Sequence, residues 1–224
     1  MVIEFFRGSS DSELEAIEQK IGQMIVDGRH TFDAATDALL AGADPAIVGA
    51  DIRLTDRRIN ETEREVRRQL VVHVSVHGAK ADLPMVLASM SVAKDAERIG
   101  DHAKNIWDLA NAIGQLQAGD NRERLLADRR WVSEFVAETA RTFSARDENG
   151  ARKLISEGDR KLDEFDAHVL EQIDADTPPS QAVPQALYYR YCKRITAHLM
   201  NILTSLVVPV DQLDYYDEKK SERW

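Results

Sequence analysis

Residues 97–106, Glu-Arg-Ile-Gly-Asp-His-Ala-Lys-Asn-Ile, recur as residues 193–202, Lys-Arg-Ile-Thr-Ala-His-Leu-Met-Asn-Ile. Five of the ten positions are identical, which is more than chance would give two unrelated segments. The match therefore indicates an internal duplication, in which the second copy has lost its two acidic residues. The identical pairs are Arg98 and Arg194, Ile99 and Ile195, His102 and His198, Asn105 and Asn201, and Ile106 and Ile202.

A second pair of segments supports the duplication. Residues 56–63, Asp-Arg-Arg-Ile-Asn-Glu-Thr-Glu, resemble residues 159–166, Asp-Arg-Lys-Leu-Asp-Glu-Phe-Asp, in their order of acidic, basic, basic, aliphatic and polar positions. Each segment lies one predicted helix before the repeat described above. The sequence therefore predicts an all-α fold with six helices, a tandem repeat of two three-helix bundles, with domains at residues 1–117 and 118–224.

The limits of the helices follow from capping residues and from apolar periodicity. Ser12, with Glu15 three residues later, is typical of a capping box and predicts where the first helix begins. The polar, glycine-containing segment 114–120 predicts the break between the two halves. The predicted helices run from Ser12 to near Gly42, from Pro45 (with Asp44 as N-cap) to between His73 and Gly78, from Asp82 to near Gly114, from Asn121 to Ala145, from Asn149 to Ile173, and from Gln181 to Tyr216.

Composition and charge limit the classes of function. The formal net charge of −10 argues against nucleic acid and anionic lipid as main partners, and it suits metal cations or a basic surface on another protein. The single cysteine, Cys192, excludes an internal disulfide, which fits a reducing compartment. Residues 1–7 lack the pattern of a signal peptide, and no stretch approaches the length and apolarity of a membrane span. We expect a cytoplasmic protein that meets membranes only through its partners.

Acidic residues in the first half predict a metal site. Glu97 and Asp101 are one helical turn apart on one face, and Asp56 and Glu63 share a face of the preceding helix. If the two helices face each other, four carboxylates converge, and such oxygen-rich groups suit divalent or trivalent ions such as Fe, Mn, Mg, Zn or Ca. The alternative is that these acids are solvated charges on amphipathic helices. Their angular position, nearly opposite Ile99, predicts that Glu97 and Asp101 line the bundle surface.

Other polar residues favour structural roles. We expect His102 and His198 to have a bundle-surface or packing role rather than to bind a metal, since neither belongs to the Glu-x-x-His pair of di-metal enzymes. Cys192 is expected to be a small core residue. The sequence has no phosphate-cradling glycine loop, zinc-type Cys/His spacing or nucleophile motif, so we predict that the protein is not an enzyme. A carboxylate-bridged di-metal enzyme remains a remote alternative.

The segment at residues 97–106 resembles the PhoU family, the regulators of bacterial phosphate uptake, and the segment at residues 56–63 strengthens the resemblance. The resemblance extends over about residues 13–216. It implies two three-helix bundles, metal clusters at the acidic motifs and a homodimer. It also implies contact with a phosphate transporter and a sensor histidine kinase, through which phosphate-starvation signalling is held off when phosphate is plentiful.

The second half departs from this family pattern. Lys193 and Ala197 occupy the positions that correspond to Glu97 and Asp101. We therefore expect metal in the first bundle only, and an ion pair of Lys193 with Asp159 or Asp166 in the second. The departure also leaves open an alternative function, that of an accessory protein of a secondary phosphate or other ion transporter.

Overall fold

The computed structural model describes residues 2–174 and 176–213, and within these ranges the chain is helical without strands. The all-α, six-helix prediction is therefore confirmed. None of the helices in these ranges is long and apolar enough to cross a membrane. The six main helices are α1 (Val2–Thr36), α2 (Pro45–His77), α3 (Leu83–Ile113), α4 (Arg122–Ala145), α5 (Glu148–Asp174) and α6 (Pro179–Thr204).

Most helix limits agree with the capping residues. The Asp44 carboxylate accepts a hydrogen bond from the backbone N–H of Ala46 at 2.8 Å, and Pro45 is the first residue of α2. The Asp82 carboxylate likewise accepts from Met85 N–H at 3.1 Å and caps α3. A π-helical turn, Asp37–Ala41, follows α1 and ends at Gly42, whose φ of 83° is the left-handed conformation that glycine adopts without strain.

Two predicted limits are wrong. α1 begins at Val2 rather than at Ser12, because the preceding residues are already helical and leave no free helix start for Ser12 to cap. α6 ends at Thr204 rather than at Tyr216, a residue that lies outside the described ranges. At this end the hydroxyls of Thr204 and Ser205 donate hydrogen bonds to the carbonyls of Asn201 and Ile202. Two carbonyls of the last turn are thus satisfied by side chains.

The helices pack as two trios, the first formed by α1–α3 and the second by α4–α6. Apolar residues recur every seven positions in α2 and α3, and they lie in the core except for Met85, which is only partly buried. They are Ile52, Ile59 and Val66 in α2, and Met85, Val92, Ile99 and Ile106 in α3. The trios also touch each other, since α3 packs against α6 and α1 against α4. The domain limit between residues 117 and 118 falls in the connection between α3 and α4 and stays a prediction.

An internal ion pair occurs at the same place in both trios. In the first, Arg58 Nε donates to Asp27 Oδ2 at 2.7 Å, which joins α2 to α1. In the second, Lys161 Nζ donates to Asp128 Oδ1 at 2.6 Å, which joins α5 to α4. Arg58 and Lys161 are both the third residue of the repeated segments at 56–63 and 159–166. The structure thus adds a tertiary contact to the evidence for duplication.

Candidate metal centre

The four predicted metal ligands lie on two neighbouring helices of the first trio. Asp56 and Glu63 are on α2, and Glu97 and Asp101 are on α3. Because only a short connection, residues 78–82, separates these helices, they run antiparallel and their faces meet. Asp56 and Asp101 are half-buried, but Glu97 and Glu63 are each only 8% exposed. The expectation that Glu97 lines the bundle surface is therefore wrong, since its side chain is buried.

One ammonium group lies between two of the acids. Lys104 Nζ donates to Asp56 Oδ1 at 3.0 Å and lies 4.0 Å from Asp101 Oδ1, while Arg98 Nη1 donates to Asp101 Oδ2 at 3.2 Å. Burial lowers the pKa of Lys104, but the hydrogen bond and charge of Asp56 outweigh it, so the pKa is raised. A positive charge is thus favoured between Asp56 and Asp101, and the ammonium group of Lys104 provides it.

Asp101 carries the electrostatic signature of a crowded acidic site. Its pKa is raised, first by burial and next by the negative charge of Glu97, and Asp56 adds to the effect. The positive charges of Lys104 and Arg98 only partly offset these causes. The carboxylate of Asp101 would therefore gain from a further positive charge, which is the condition that a bound metal ion satisfies.

Glu97 and Glu63 are paired within their own helices. Lys94 Nζ donates to Glu97 Oε2 at 2.7 Å, and Arg67 Nη2 lies 2.9 Å from Glu63 Oε1. Over the residues that the structure describes, no three of the four acids bring one oxygen each within 4.8 Å of one another. The donor set fits a hard cation in its chemistry, but the lysine side chains would have to move away for the oxygens to close on an ion.

A second polar cluster, which the sequence did not predict, joins the two trios. Asp95 of α3 accepts hydrogen bonds from His198 Nδ1 at 2.7 Å and from Asn201 Nδ2 at 3.2 Å, both on α6. The ring of His102 stacks on that of His198 with centroids 5.4 Å apart. Burial, followed by the charge of His198, lowers the pKa of His102 to about 4. These histidines therefore pack, as expected, but between the trios. The sequence could have linked Asp95 to His102, because the two residues are seven positions apart and therefore lie on the same face of α3.

Comparisons with known proteins bear on this geometry. Residues 21–110, which include all four predicted ligands, match the family model of the PhoU domain. Two relatives from Xylella fastidiosa, strains 9a5c and Temecula1, are each named phosphate-specific transport system accessory protein PhoU homolog. They are 29% and 28% identical to the chain over 157 residues, or 69% of it. The match identifies residues 21–110 as a PhoU domain.

Further PhoU relatives extend the match. A protein of the same name from Aquifex aeolicus is 26% identical over 161 residues, which is 71% of each chain. The alignments cover 64% and 63% of the two Xylella relatives, so the chain spans somewhat less than two thirds of their length. The crystal structure of PhoU from Pseudomonas aeruginosa superposes with a TM-score of 0.78 at 20% identity, covering 88% of this chain and 96% of that one. PhoU from Streptococcus pneumoniae superposes with a TM-score of 0.75, also at 20% identity, with 88% and 95% covered. These structures show that the fold is that of PhoU proteins.

The acidic motif behind the PhoU resemblance is intact only in the first trio. In the second, Lys193 Nζ donates to Asp166 Oδ1 at 2.7 Å, which confirms the predicted ion pair. By the repeat, Lys193 corresponds to Glu97 and Asp166 to Glu63. The ion pair therefore occupies the place where two carboxylates stand in the first trio, and it leaves that place without excess negative charge.

Proposed function

We propose that the chain is a regulatory accessory protein of phosphate transport, acting in the cytoplasm by contact with a phosphate transporter, a sensor histidine kinase or both. The observation that carries the proposal is the match of residues 21–110 to the PhoU domain, together with relatives that are named accessory proteins of the phosphate-specific transport system. The six-helix fold shared with the Pseudomonas aeruginosa PhoU supports it. We propose no catalytic role, and we propose that the chain works as a homodimer.

The proposed function includes a metal ion on the first trio. Asp56 and Asp101 would hold it together with Glu97 and Glu63, and the ion would supply the positive charge that Lys104 and Lys94 provide in its absence. Its effect would be to tie α2 to α3, since each helix contributes two of the acids. The raised pKa of Asp101, caused first by burial and then by Glu97, supports this assignment.

Deletion of the gene in its source organism, with a reporter of phosphate-starvation genes, tests the function. We expect the reporter to become active in phosphate-rich medium and to be silenced again by the wild-type gene. The variant Glu97→Ala with Asp101→Ala should silence it less well. The matched control is Glu134→Ala with Glu138→Ala, two exposed acids with the same spacing on α4, and it should act like wild type.

A reporter that stays silent after deletion would contradict the regulatory proposal. The alternative partner, a secondary transporter, is favoured by the loss of acids at Lys193 and Ala197. It predicts a change in phosphate or ion uptake while the starvation reporter remains silent, so the same deletion strain distinguishes the two functions.

A further inference from the structure

A cluster of two histidines and one glutamate lies at the end of α2, apart from the acidic site. The Glu13 carboxylate of α1 contacts both rings through Oε2, at 3.0 Å from His73 Nδ1 and 3.4 Å from His77 Nε2. The two histidines are one turn apart on α2, and their ring centroids are 4.4 Å apart. One donor atom from each of the three residues lies within 4.8 Å of the others.

We propose that Glu13, His73 and His77 form a binding site for a borderline transition-metal ion such as Zn²⁺. Imidazole nitrogens with one carboxylate oxygen are a donor set for such ions, whereas Mg²⁺ and Ca²⁺ prefer oxygens alone. Ligands at about 2.0–2.1 Å from a tetrahedral ion lie about 3.3 Å from one another. The two distances from Glu13 Oε2 bracket that separation, so two of the three distances between donor atoms already suit a tetrahedral ion.

The burial of the cluster supports a binding role. The His73 side chain is 1% exposed, and that of His77 is 12% exposed. The other ring nitrogen of His73, Nε2, is buried and has no hydrogen-bond partner within the described residues. The polar contact of this ring is therefore the one that Nδ1 makes with Glu13. The Glu13 side chain is 54% exposed, which leaves one side open for water or for a ligand from another molecule.

The charge of the cluster also suits a cation. The Glu13 carboxylate supplies a negative charge at neutral pH. Its Oε2 atom already contacts both rings. An ion bound here would connect α1 to the last turn of α2, the end remote from Asp56.

Zinc titration of the full chain tests the proposal, after metal is removed with a chelator and any affinity tag is cleaved. Competition with a chromogenic zinc indicator gives the affinity, and Co²⁺ in place of Zn²⁺ gives intense visible bands when the site is tetrahedral. We expect Glu13→Gln and His77→Gln each to weaken zinc binding at least about 10–100-fold, the loss that even outer-shell changes produce. His77 is at the helix end, so this variant should fold, which circular dichroism checks.

The matched control is His30→Gln. His30 also pairs with a carboxylate across α1 and α2, at 2.6 Å from Asp51, but this pair has no third ligand within reach in the described chain. We expect it to bind zinc like wild type. Equal zinc affinity in wild type and His77→Gln would overturn the proposal, and so would an equal loss in His30→Gln.

Discussion

At the scale of single residues, Gly28 of α1 packs closely against Ile99 of α3. A Cβ atom built on Gly28 would lie 2.8 Å from Cγ2 of Ile99, a β-branched side chain with little freedom to move. We expect Gly28→Ala to lower the free energy of unfolding by about 1–3 kcal/mol, as overpacking does. Urea unfolding measures this.

Gly22→Ala on the same helix is the control for Gly28→Ala. Its Cβ would lie 3.2 Å from the Ser144 hydroxyl, which can rotate away. Alanine at this helical position should be neutral or stabilise by up to about 1 kcal/mol. If both variants change stability by the same amount, close packing at Gly28 is not the cause.

His102 predicts a pH dependence of stability. Its pKa of about 4 in the folded chain is below the ordinary value of 6.5, first because of burial and next because of His198. Between these values the unfolded chain binds a proton at His102 and the folded chain does not. The contribution is therefore fully present above about pH 6.5 and is lost as the pH falls towards about 4.

The variant His102→Gln removes this titration. We expect its urea midpoint to fall less steeply than that of wild type between pH 6.5 and 4, even if its stability at neutral pH is lower. Parallel slopes in the two proteins would show that His102 is not protonated on unfolding.

At the scale of helices, the ion pairs that join the second helix of each trio to the first should differ in strength. The Asp128 side chain is 4% exposed, and Lys161→Met would leave it only His168, whose Nε2 lies 3.8 Å from Asp128 Oδ2. Such a loss costs about 3–5 kcal/mol of unfolding free energy. Arg58→Met is the matched variant of the first trio, and Asp27 keeps a second hydrogen bond there, from Gln23 at 3.0 Å.

We expect Arg58→Met to cost less than Lys161→Met, because Arg58 is half exposed and water can replace its guanidinium. Urea unfolding of both variants measures the difference. A larger loss for Arg58→Met would contradict this expectation and show that Asp27, itself only 8% exposed, depends more on its ion pair than Asp128 does.

The helices also show where sequence was sufficient. Asp44-Pro45 and Asp82 fixed two helix starts because a side-chain cap is a local interaction within three residues. The same reasoning failed at Ser12, where the capping pattern lies inside a longer helix. The predicted end of α6 was also wrong, since the helix ends at Thr204, where the hydroxyls of Thr204 and Ser205 donate to carbonyls of the last turn.

At the scale of the whole molecule, sequence spacing placed the four acids on facing helices of one trio. It could not place their partners, because Lys104 reaches Asp56 across 48 positions of the chain. Asp95 and His198 are 103 positions apart and meet only where the trios pack. Contacts of this kind depend on how the helices pack against one another, and the apolar periodicity of a single helix gives no information about that packing.

The central claim is that metal binds the first trio and not the second. Asp56, Glu63, Glu97 and Asp101 have a formal charge of −4, whereas Asp159, Asp166, Lys193 and Ala197 together have −1. Anomalous scattering from crystals grown with Mn²⁺, an oxygen-preferring ion, locates bound metal directly. We predict an anomalous peak between Asp56 and Asp101 and none beside Lys193. A peak of equal height in both trios, or none in the first, would contradict the claim.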